Sequence, residues 1–189
     1  TWKRVGLENS EHIGAIVIDP RNSNNVTVAV QGPLFSAGGE RGVYKTLDGG
    51  ATWNRVAHAN DDTGFTSLAY DAKNPDIMFA GTYQRRRHVG QMIGGGPDGG
   101  IWKTTNGGKT WDKLTKGLPP GEVGRITVVT EPKKPGRVYA LIDAKLGAVE
   151  AVAGAPGGGG GGGRGGGGGG GRAGGGGAGG AGAAAEPTA

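Results

Sequence analysis

Cysteine is absent from the sequence, aromatic residues make up only 6% of it, and no apolar run is long enough to span a bilayer. Without cysteine the chain can form neither a disulfide framework nor a thiolate-based metal or catalytic site. The three histidines, His12, His58 and His88, do not stand at the short spacings of a metal-binding motif. We therefore expect no metal, no cofactor and no membrane span.

The sequence also has no strong excess of charge. Lys and Arg number 21 against 16 Asp and Glu, which gives a formal net charge of +5 at pH 7. An excess of this size, scattered along the chain, favours solubility over a nucleic-acid-binding surface. We expect no nucleic-acid partner.

Glycine, by contrast, is abundant: there are 45 glycines, and residues 157–163 and 165–171 are unbroken glycine runs. Such a segment cannot bury enough apolar surface to offset the entropy of ordering it. The composition predicts a folded domain over residues 1–145 and a disordered tail or linker over residues 146–189. An arginine–glycine segment that binds RNA is the alternative for the tail, but it has no aromatic residue to stack on a base.

A repeated motif of eight residues organises the part before the tail. It reads TLDGGATW at residues 46–53 and TTNGGKTW at residues 104–111. Its Asp or Asn can bond the N–H groups of its own turn, its glycines can take positive φ, and its Trp can pack beside the turn. The motif predicts two tight hairpins, called here the repeat hairpins, whose structural residues are Thr46, Asp48, Gly50, Trp53, Thr104, Asn106, Gly108 and Trp111.

The spacing of the motifs defines a structural unit. The two Trp residues lie 58 positions apart, from 53 to 111, and the chain opens on TWKRV, which matches TWNRV at residues 52–56. A second turn motif follows an apolar run three times, at residues 18–22, 70–75 and 130–135. A unit of roughly 50 to 60 residues built from short strands and turns predicts the four-stranded blade of a β-propeller.

The predicted fold is all-β, a partial β-propeller of four-stranded antiparallel blades, with two full blades and parts of two more. The apolar residues of the strand at 13–18 occupy consecutive positions, which predicts burial on both faces. Residues 1–5 are expected to be the trailing strand of a preceding blade. Propellers close with about four to eight blades, so we expect this chain to be a fragment of a larger protein or to associate with copies of itself. The other predicted strands are 26–30, 42–46, 53–57, 66–70, 77–83, 100–104, 110–115, 125–129 and 137–142.

The repeat hairpins resemble the Asp-box, or BNR repeat, of sialidases, sortilin-type receptor propellers and xyloglucanase-type glycoside hydrolases. Together with the turn at 19–22 and the YQRRR stretch at 83–87, they are most similar to bacterial proteins described as sortilin N-terminal-domain-like or BNR-repeat glycosyl hydrolases. The resemblance covers residues 1 to about 145. It implies a periplasmic or secreted, non-catalytic scaffold that binds protein or peptide. The alternatives are part of a glycoside hydrolase acting on polysaccharide, with an active site completed by further blades, and a purely structural module.

The loops between strands are predicted to alternate between two ends of the stack of blades. The repeat hairpins and the turns at residues 18–22, 70–75 and 130–135, called here the Asp-Pro turns, share one end. Loops 6–12, 31–41, 58–65, 84–99 and 116–123 share the other. Long irregular loops are where ligands usually bind, and arginines can clamp a carboxylate or phosphate. The predicted ligand-binding face comprises Arg41, Asp61, Asp62, Arg85, Arg86, Arg87 and His88.

Two observations argue against catalysis by these residues alone. Glycoside hydrolysis needs two carboxyl groups across the scissile bond, and the adjacent Asp61 and Asp62 cannot straddle a sugar. A turn at residues 60–64 explains both acids without chemistry, and solvated arginines at a strand end explain residues 85–87 equally well. No catalytic residue is predicted in this chain.

Overall fold

A computed structural model describes residues 1–144, and all of their regular structure is β-strand. The predicted tail over residues 146–189 lies outside the described residues. Within residues 1–144 there is no helix of the length and apolarity needed to cross a membrane. The strands are β1 (Ile13–Ile18), β2 (Val26–Val30), β3 (Gly42–Thr46), β4 (Asn54–Ala57), β5 (Thr63–Tyr70), β6 (Met78–His88), β7 (Gln91–Gly94), β8 (Ile101–Thr104), β9 (Asp112–Leu114), β10 (Val123–Thr130) and β11 (Val138–Ala144).

The strands form three antiparallel groups in chain order. Blade 1 has the order β1-β2-β3-β4, and blade 2 has the order β5-β6-β8-β9 with β7 paired to β6. Blade 3 contains β10 and β11. The first strands of the blades, β1, β5 and β10, lie side by side. Gly14 approaches so closely that a Cβ there would come within 2.6 Å of the backbone of Thr66. This arrangement confirms the predicted fold of successive propeller blades.

The three turns that follow the first strands repeat the same backbone pattern. In each, the N–H of the residue that follows the strand donates to the carbonyl of the residue six positions later. These bonds are Asp19 N–H to Asn25 O at 2.9 Å, Asp71 N–H to Ile77 O at 2.8 Å and Glu131 N–H to Arg137 O at 3.0 Å. Short polar side chains stabilise such turns by bonding nearby backbone N–H groups. The turns therefore fix where the second strand of each blade begins.

Two segments differ from the sequence-based prediction. The loop predicted at 84–99 is partly a hairpin, because β6 continues to His88 and pairs with β7 across the turn at Val89 and Gly90. Gly90 has a φ of 73°, which suits this tight turn. The trailing strand predicted at residues 1–5 does not form, because no described strand pairs with it. Val5 instead accepts a hydrogen bond of 2.7 Å at its carbonyl from Trp53 Nε1.

The buried apolar residues form three clusters, and two of them lie between blades. One cluster joins blades 1 and 2 around Phe65, whose ring meets Trp102 edge to face at 5.8 Å. A second joins blades 2 and 3 around Phe79 and Ile126. A third covers the other side of blade 1, where Leu7 packs on the second and third strands: its buried members are Leu7, Val28, Val30 and Tyr44.

The prediction that β1 is buried on both faces is wrong. Ala15 and Val17 pack towards blade 2, but Ile13, Ile16 and Ile18 are exposed. The physical reason is that segment 1–12 covers β2 and β3 while none of the described residues covers this face of β1. Consecutive apolar residues had indicated two buried faces, and only one of them finds a partner within residues 1–144.

Candidate functional site

The first repeat hairpin is held by the side chains of a threonine and an aspartate. Thr46 Oγ1 accepts hydrogen bonds from the N–H groups of Asp48 and Gly50, at 3.2 and 2.9 Å, and donates to Asp48 Oδ1 at 2.6 Å. The Asp48 carboxylate also accepts the N–H and hydroxyl of Thr52, at 2.9 and 2.6 Å. These bonds, with that from the Thr46 hydroxyl first, hold the pKa of Asp48 well below its usual range.

The second hairpin repeats this network with one reversal. Thr104 Oγ1 accepts from Gly108 N–H at 3.1 Å and donates to Asn106 Oδ1 at 2.9 Å. Asn106 Oδ1 accepts from Thr110 N–H at 3.0 Å, but its Nδ2 group donates to Thr110 Oγ1 at 2.7 Å. In the first hairpin the equivalent threonine hydroxyl donates instead. The amide therefore serves the same turn with no charge.

Glycines and tryptophans complete the hairpins. Gly50 and Gly108 have φ of 97° and 87°, in the left-handed region that favours glycine. Trp53 joins the cluster on the outer side of blade 1, and Trp111 joins the cluster between blades 1 and 2. All eight hairpin residues named from the sequence thus sit in turns or in the packing around them, where they support the fold.

The Asp-Pro turns lie at the same end as the repeat hairpins. Arg21 donates to Asp19 at 2.7 and 2.9 Å and to Asp76 of blade 2 at 2.7 Å. Lys45 Nζ donates to Gly107 O at 2.6 Å, from the third strand of blade 1 to the hairpin of blade 2. The hydrogen bonds from Arg21 lower the pKa of Asp19 to about 2 and that of Asp76 below its usual value. This end of the stack is a polar clamp between blades.

The long loops gather at the opposite end, around loop 31–41. This loop is bonded to three others by Asn9 N–H to Glu40 Oε2 at 2.8 Å, Gly38 N–H to Asp61 O at 2.8 Å and Arg87 N–H to Leu34 O at 2.9 Å. Loop 84–99 in turn contacts the start of blade 3, where Gly96 N–H donates to Val123 O at 3.2 Å. The described residues therefore have the structural turns at one end of the stack and the long loops at the other, as predicted.

Arg41 does not present its charge to a ligand at this end. Its side chain is fully buried, and its guanidinium donates to the carbonyls of Gln31, Pro33 and Ser36. Burial lowers the pKa of Arg41. Arginine has a rigid fork of donors that suits several carbonyls at once. The residue named from the sequence as part of the ligand-binding face instead holds loop 31–41 together.

Two further members of the predicted face are engaged with each other. The guanidinium of Arg86 donates to the carboxylate of Asp62. Asp61 precedes Asp62 in the sequence but is largely exposed, with Oδ1 at 3.5 Å from Nε2 of His58. Arg87 and His88 lie exposed on the β6–β7 hairpin. The structure therefore does not bring the seven predicted residues into one site.

Arg85 lies apart from this set, in a cleft of about 440 Å³. The cleft opens where the three first strands begin, since Ile13 of β1, Thr66 of β5 and Arg125 of β10 all line it. The positions that complete it are Glu11, His12, Gly14, Gln31, Tyr83 and Arg85. Two arginines, one histidine and one carboxylate thus face a shared space at the loop end of the blades.

Tyr83 and Arg125 were not predicted as site residues. Tyr83 belongs to the second strand of blade 2, where an aromatic residue is typical of a strand. Arg125 is the third residue of the first strand of blade 3 and interrupts its apolar pattern, with an exposed side chain. A charged residue among apolar neighbours, near the start of the first strand of a blade, is the signal that could have identified it. Glu11 lies in loop 6–12, one of the loops expected at this end, and its φ of 49° is uncommon for a residue with a side chain.

Comparison with solved structures finds β-propeller enzymes of much greater length. An ancestral GH74 enzyme superposes with a TM-score of 0.51 at 20% identity, over 68% of this chain and 16% of that one. The GH74 xyloglucanase from Xanthomonas campestris gives 0.50 at 19% identity, over 68% and 18%. A GH74 enzyme from Niastella koreensis gives 0.48 at 25% identity, over 71% and 20%.

The first two likenesses show the fold, and the matched region spans less than a fifth of each enzyme. No protein-family model and no curated protein sequence matches the chain.

Proposed function

We propose that this chain is a non-catalytic binding module, an Asp-box β-propeller segment that holds an acidic stretch of protein or peptide in its loop-end cleft. Its placement outside the cytoplasm and its sortilin-like partner class rest on the resemblance of the repeat hairpins. The chemistry of the ligand rests on the cleft itself. The proposal covers the part of the propeller present here, and further blades of a longer chain would extend the same face.

The observation that carries the proposal is the pair of arginines in the cleft. Arg85 comes from the second strand of blade 2 and Arg125 from the first strand of blade 3, so two blades contribute a cation to one space. Guanidinium groups recognise carboxylates with paired hydrogen bonds. Tyr83 adds an aromatic surface and a hydroxyl beside them. The cleft thus has the donors for an acidic segment and a surface for its apolar parts.

The carboxylates at this end favour binding over hydrolysis. Glycoside hydrolysis needs two carboxyl groups across one bond, and Glu11 is the one carboxylate among the described residues that line the cleft. Asp62 is engaged by Arg86, and Asp98 accepts a hydrogen bond of 2.6 Å from Asn60 Nδ2. These acids stabilise loops and leave no acid–base pair facing the cleft among residues 1–144.

The test is binding of a fluorescent peptide rich in Asp and Glu, measured by anisotropy against a peptide of the same length in which Asn and Gln replace the acids. We expect the acidic peptide to bind and Arg85→Ala or Arg125→Ala to weaken its binding by about tenfold or more, since a hydrogen bond to a charged group contributes roughly 1.5–3 kcal/mol. Lys133→Ala, which removes an exposed cation from the turn at the opposite end, is the matched control and should not change affinity.

Two results would contradict the proposal. Equal binding of both peptides would mean that the cleft does not select acidic ligands. Release of reducing sugar from a polysaccharide by the same chain, lost on Glu11→Gln, would assign the cleft to a glycoside hydrolase.

A further inference from the structure

Each blade has two sheet faces, and successive blades pack face to face in the same way twice in this chain. We call the face towards the next blade in chain order the forward face, and the opposite one the backward face. The forward face of blade 1 packs on the backward face of blade 2, and the forward face of blade 2 packs on the backward face of blade 3. Within residues 1–144, two faces have no neighbouring blade: the backward face of blade 1 and the forward face of blade 3.

The free backward face has the same side-chain positions as the two that are covered. In blade 2 these positions are held by Phe65 and Leu68, which are 0% and 7% exposed, and in blade 3 by Ile126 and Val128, which are 1% and 3% exposed. In blade 1 the register of β1 with β2 places Ile13, Ile16 and Ile18 on that face. They are 46%, 60% and 51% exposed. Blade 1 therefore presents an interblade surface without its neighbour.

The free forward face is equally apolar. The register of β10 with β11 pairs Val129 with Tyr139 and Thr127 with Leu141, on the side away from blade 2. Val129, Tyr139 and Leu141 are 52%, 53% and 77% exposed. The equivalent residues of blade 2, Ala69 and Phe79, pack against blade 3. Clusters of exposed large apolar residues on a sheet mark an interaction surface.

The backward face of blade 1 is open only in part. Segment 1–12 covers the outer part of the backward face of blade 1, where Leu7 packs on Val28 and Val30. What remains open is the inner part around β1. The part of blade 3 that the structure describes has two strands, and within the chain β10 packs on the two inner strands of blade 2, β5 and β6. A two-stranded forward face thus meets a backward face that is open on its inner side.

We propose that the chain assembles head to tail, with the forward face of blade 3 of one copy packed on the backward face of blade 1 of the next. At the inner strands the contact repeats the packing that the chain forms twice internally, and segment 1–12 borders it on the outer side. It is a heterologous interface, which produces either closed rings or open chains of copies. It would also place the loop-end clefts of successive copies on one side of the assembly.

Sedimentation velocity of the 189-residue chain across a wide concentration series tests this proposal. We expect larger species at higher concentration. Ile16→Glu and Leu141→Glu, each on one free face, should sediment as monomers. Both side chains are exposed, so an unchanged melting temperature shows that the variants are folded, and Tyr139→Glu repeats the test of the forward face with an independent substitution.

Mixing the two variants distinguishes head-to-tail contact from every other kind. The Ile16→Glu chain keeps its forward face and the Leu141→Glu chain keeps its backward face, so an equimolar mixture should form one-to-one dimers and nothing larger. Val89→Glu, at the fully exposed tip of the β6–β7 hairpin, is the control and should associate like the parent chain.

Three results would overturn the proposal. A parent chain that is monomeric throughout the series would show that the faces do not pair. Association that persists in either single variant would assign it to another surface. A mixture that stays monomeric would exclude the complementary contact.

Discussion

A single side chain decides whether each repeat hairpin carries a charge. Asp48 and Asn106 hold equivalent turns, and both accept the N–H of the threonine four residues later, at 2.9 and 3.0 Å. The turn therefore needs an oxygen acceptor at this position and does not need an anion. What the carboxylate adds is a dependence on pH, because its bonds favour the charged form.

Asp48→Asn should make the protein less sensitive to acid. The pKa of Asp48 is lower in the folded state than in the unfolded state. The stability that this carboxylate contributes is therefore fully present above its unfolded pKa of about 3.9, and it is lost as the pH falls through the lower folded pKa. The variant lacks this titration. Between pH 5 and pH 2, its melting temperature should fall less than that of the parent.

Some acid sensitivity will remain in the variant, because Asp19, Asp71 and Asp76 also have lowered pKa values. Identical melting curves for parent and variant at every pH would contradict the role given to Asp48. The control is Asp112→Asn, an exposed carboxylate at the start of β9, which should follow the parent.

The residues of the hairpins could be identified from sequence, and most of the binding face could not. The hydrogen bonds of a turn join residues that are close in sequence, so the Thr, Asp or Asn and Gly positions can be identified without knowledge of the fold. Arg41 is different, because its burial depends on carbonyls of its own loop that converge only after folding. Arg125 reaches the cleft through the side-by-side position of three strands that are far apart in sequence.

At the scale of elements, the strands are specified locally and their partners are not. The predicted strands at 26–30 and 42–46 match β2 and β3, and the interval between turns was sufficient to find them. The β6–β7 hairpin was missed because arginine-rich and glycine-rich stretches resemble loops. The exposure of β1 was missed because apolar residues indicate that a face can be buried and say nothing of whether a partner is present.

The contact between blades is the element-scale feature that should determine stability. Phe65 is fully buried between blades 1 and 2, with its ring against Trp102. Phe65→Ala should lower the free energy of unfolding by about 3–5 kcal/mol, because it removes a large buried side chain and leaves a cavity. Denaturant unfolding followed by circular dichroism measures the change.

Trp53→Ala is the comparison for this prediction. Trp53 is only half-buried and packs against the segment before β1, so its loss should cost less than that of Phe65. A larger loss of stability for Trp53→Ala than for Phe65→Ala would mean that the repeat hairpin, and not the contact between blades, is the main support of the fold.

For the whole molecule, the stack of blades separates structure from recognition. One end carries the repeat hairpins and the clamp in which Arg21 links Asp19 to Asp76. The other carries long loops and a cleft bordered by the first strands of all three blades. This separation leaves the loop end able to change its residues while the hairpin end keeps the blades in register.

Hydrogen–deuterium exchange with and without the acidic peptide tests this account most directly. We predict that the peptide slows amide exchange at residues 83–85 and 123–126, which border the cleft, and leaves residues 46–53 and 104–111 unchanged. The same experiment on Arg125→Ala should show little slowing at either place. Slower exchange confined to the repeat hairpins would contradict the account, as would no change at the cleft under conditions where the peptide binds.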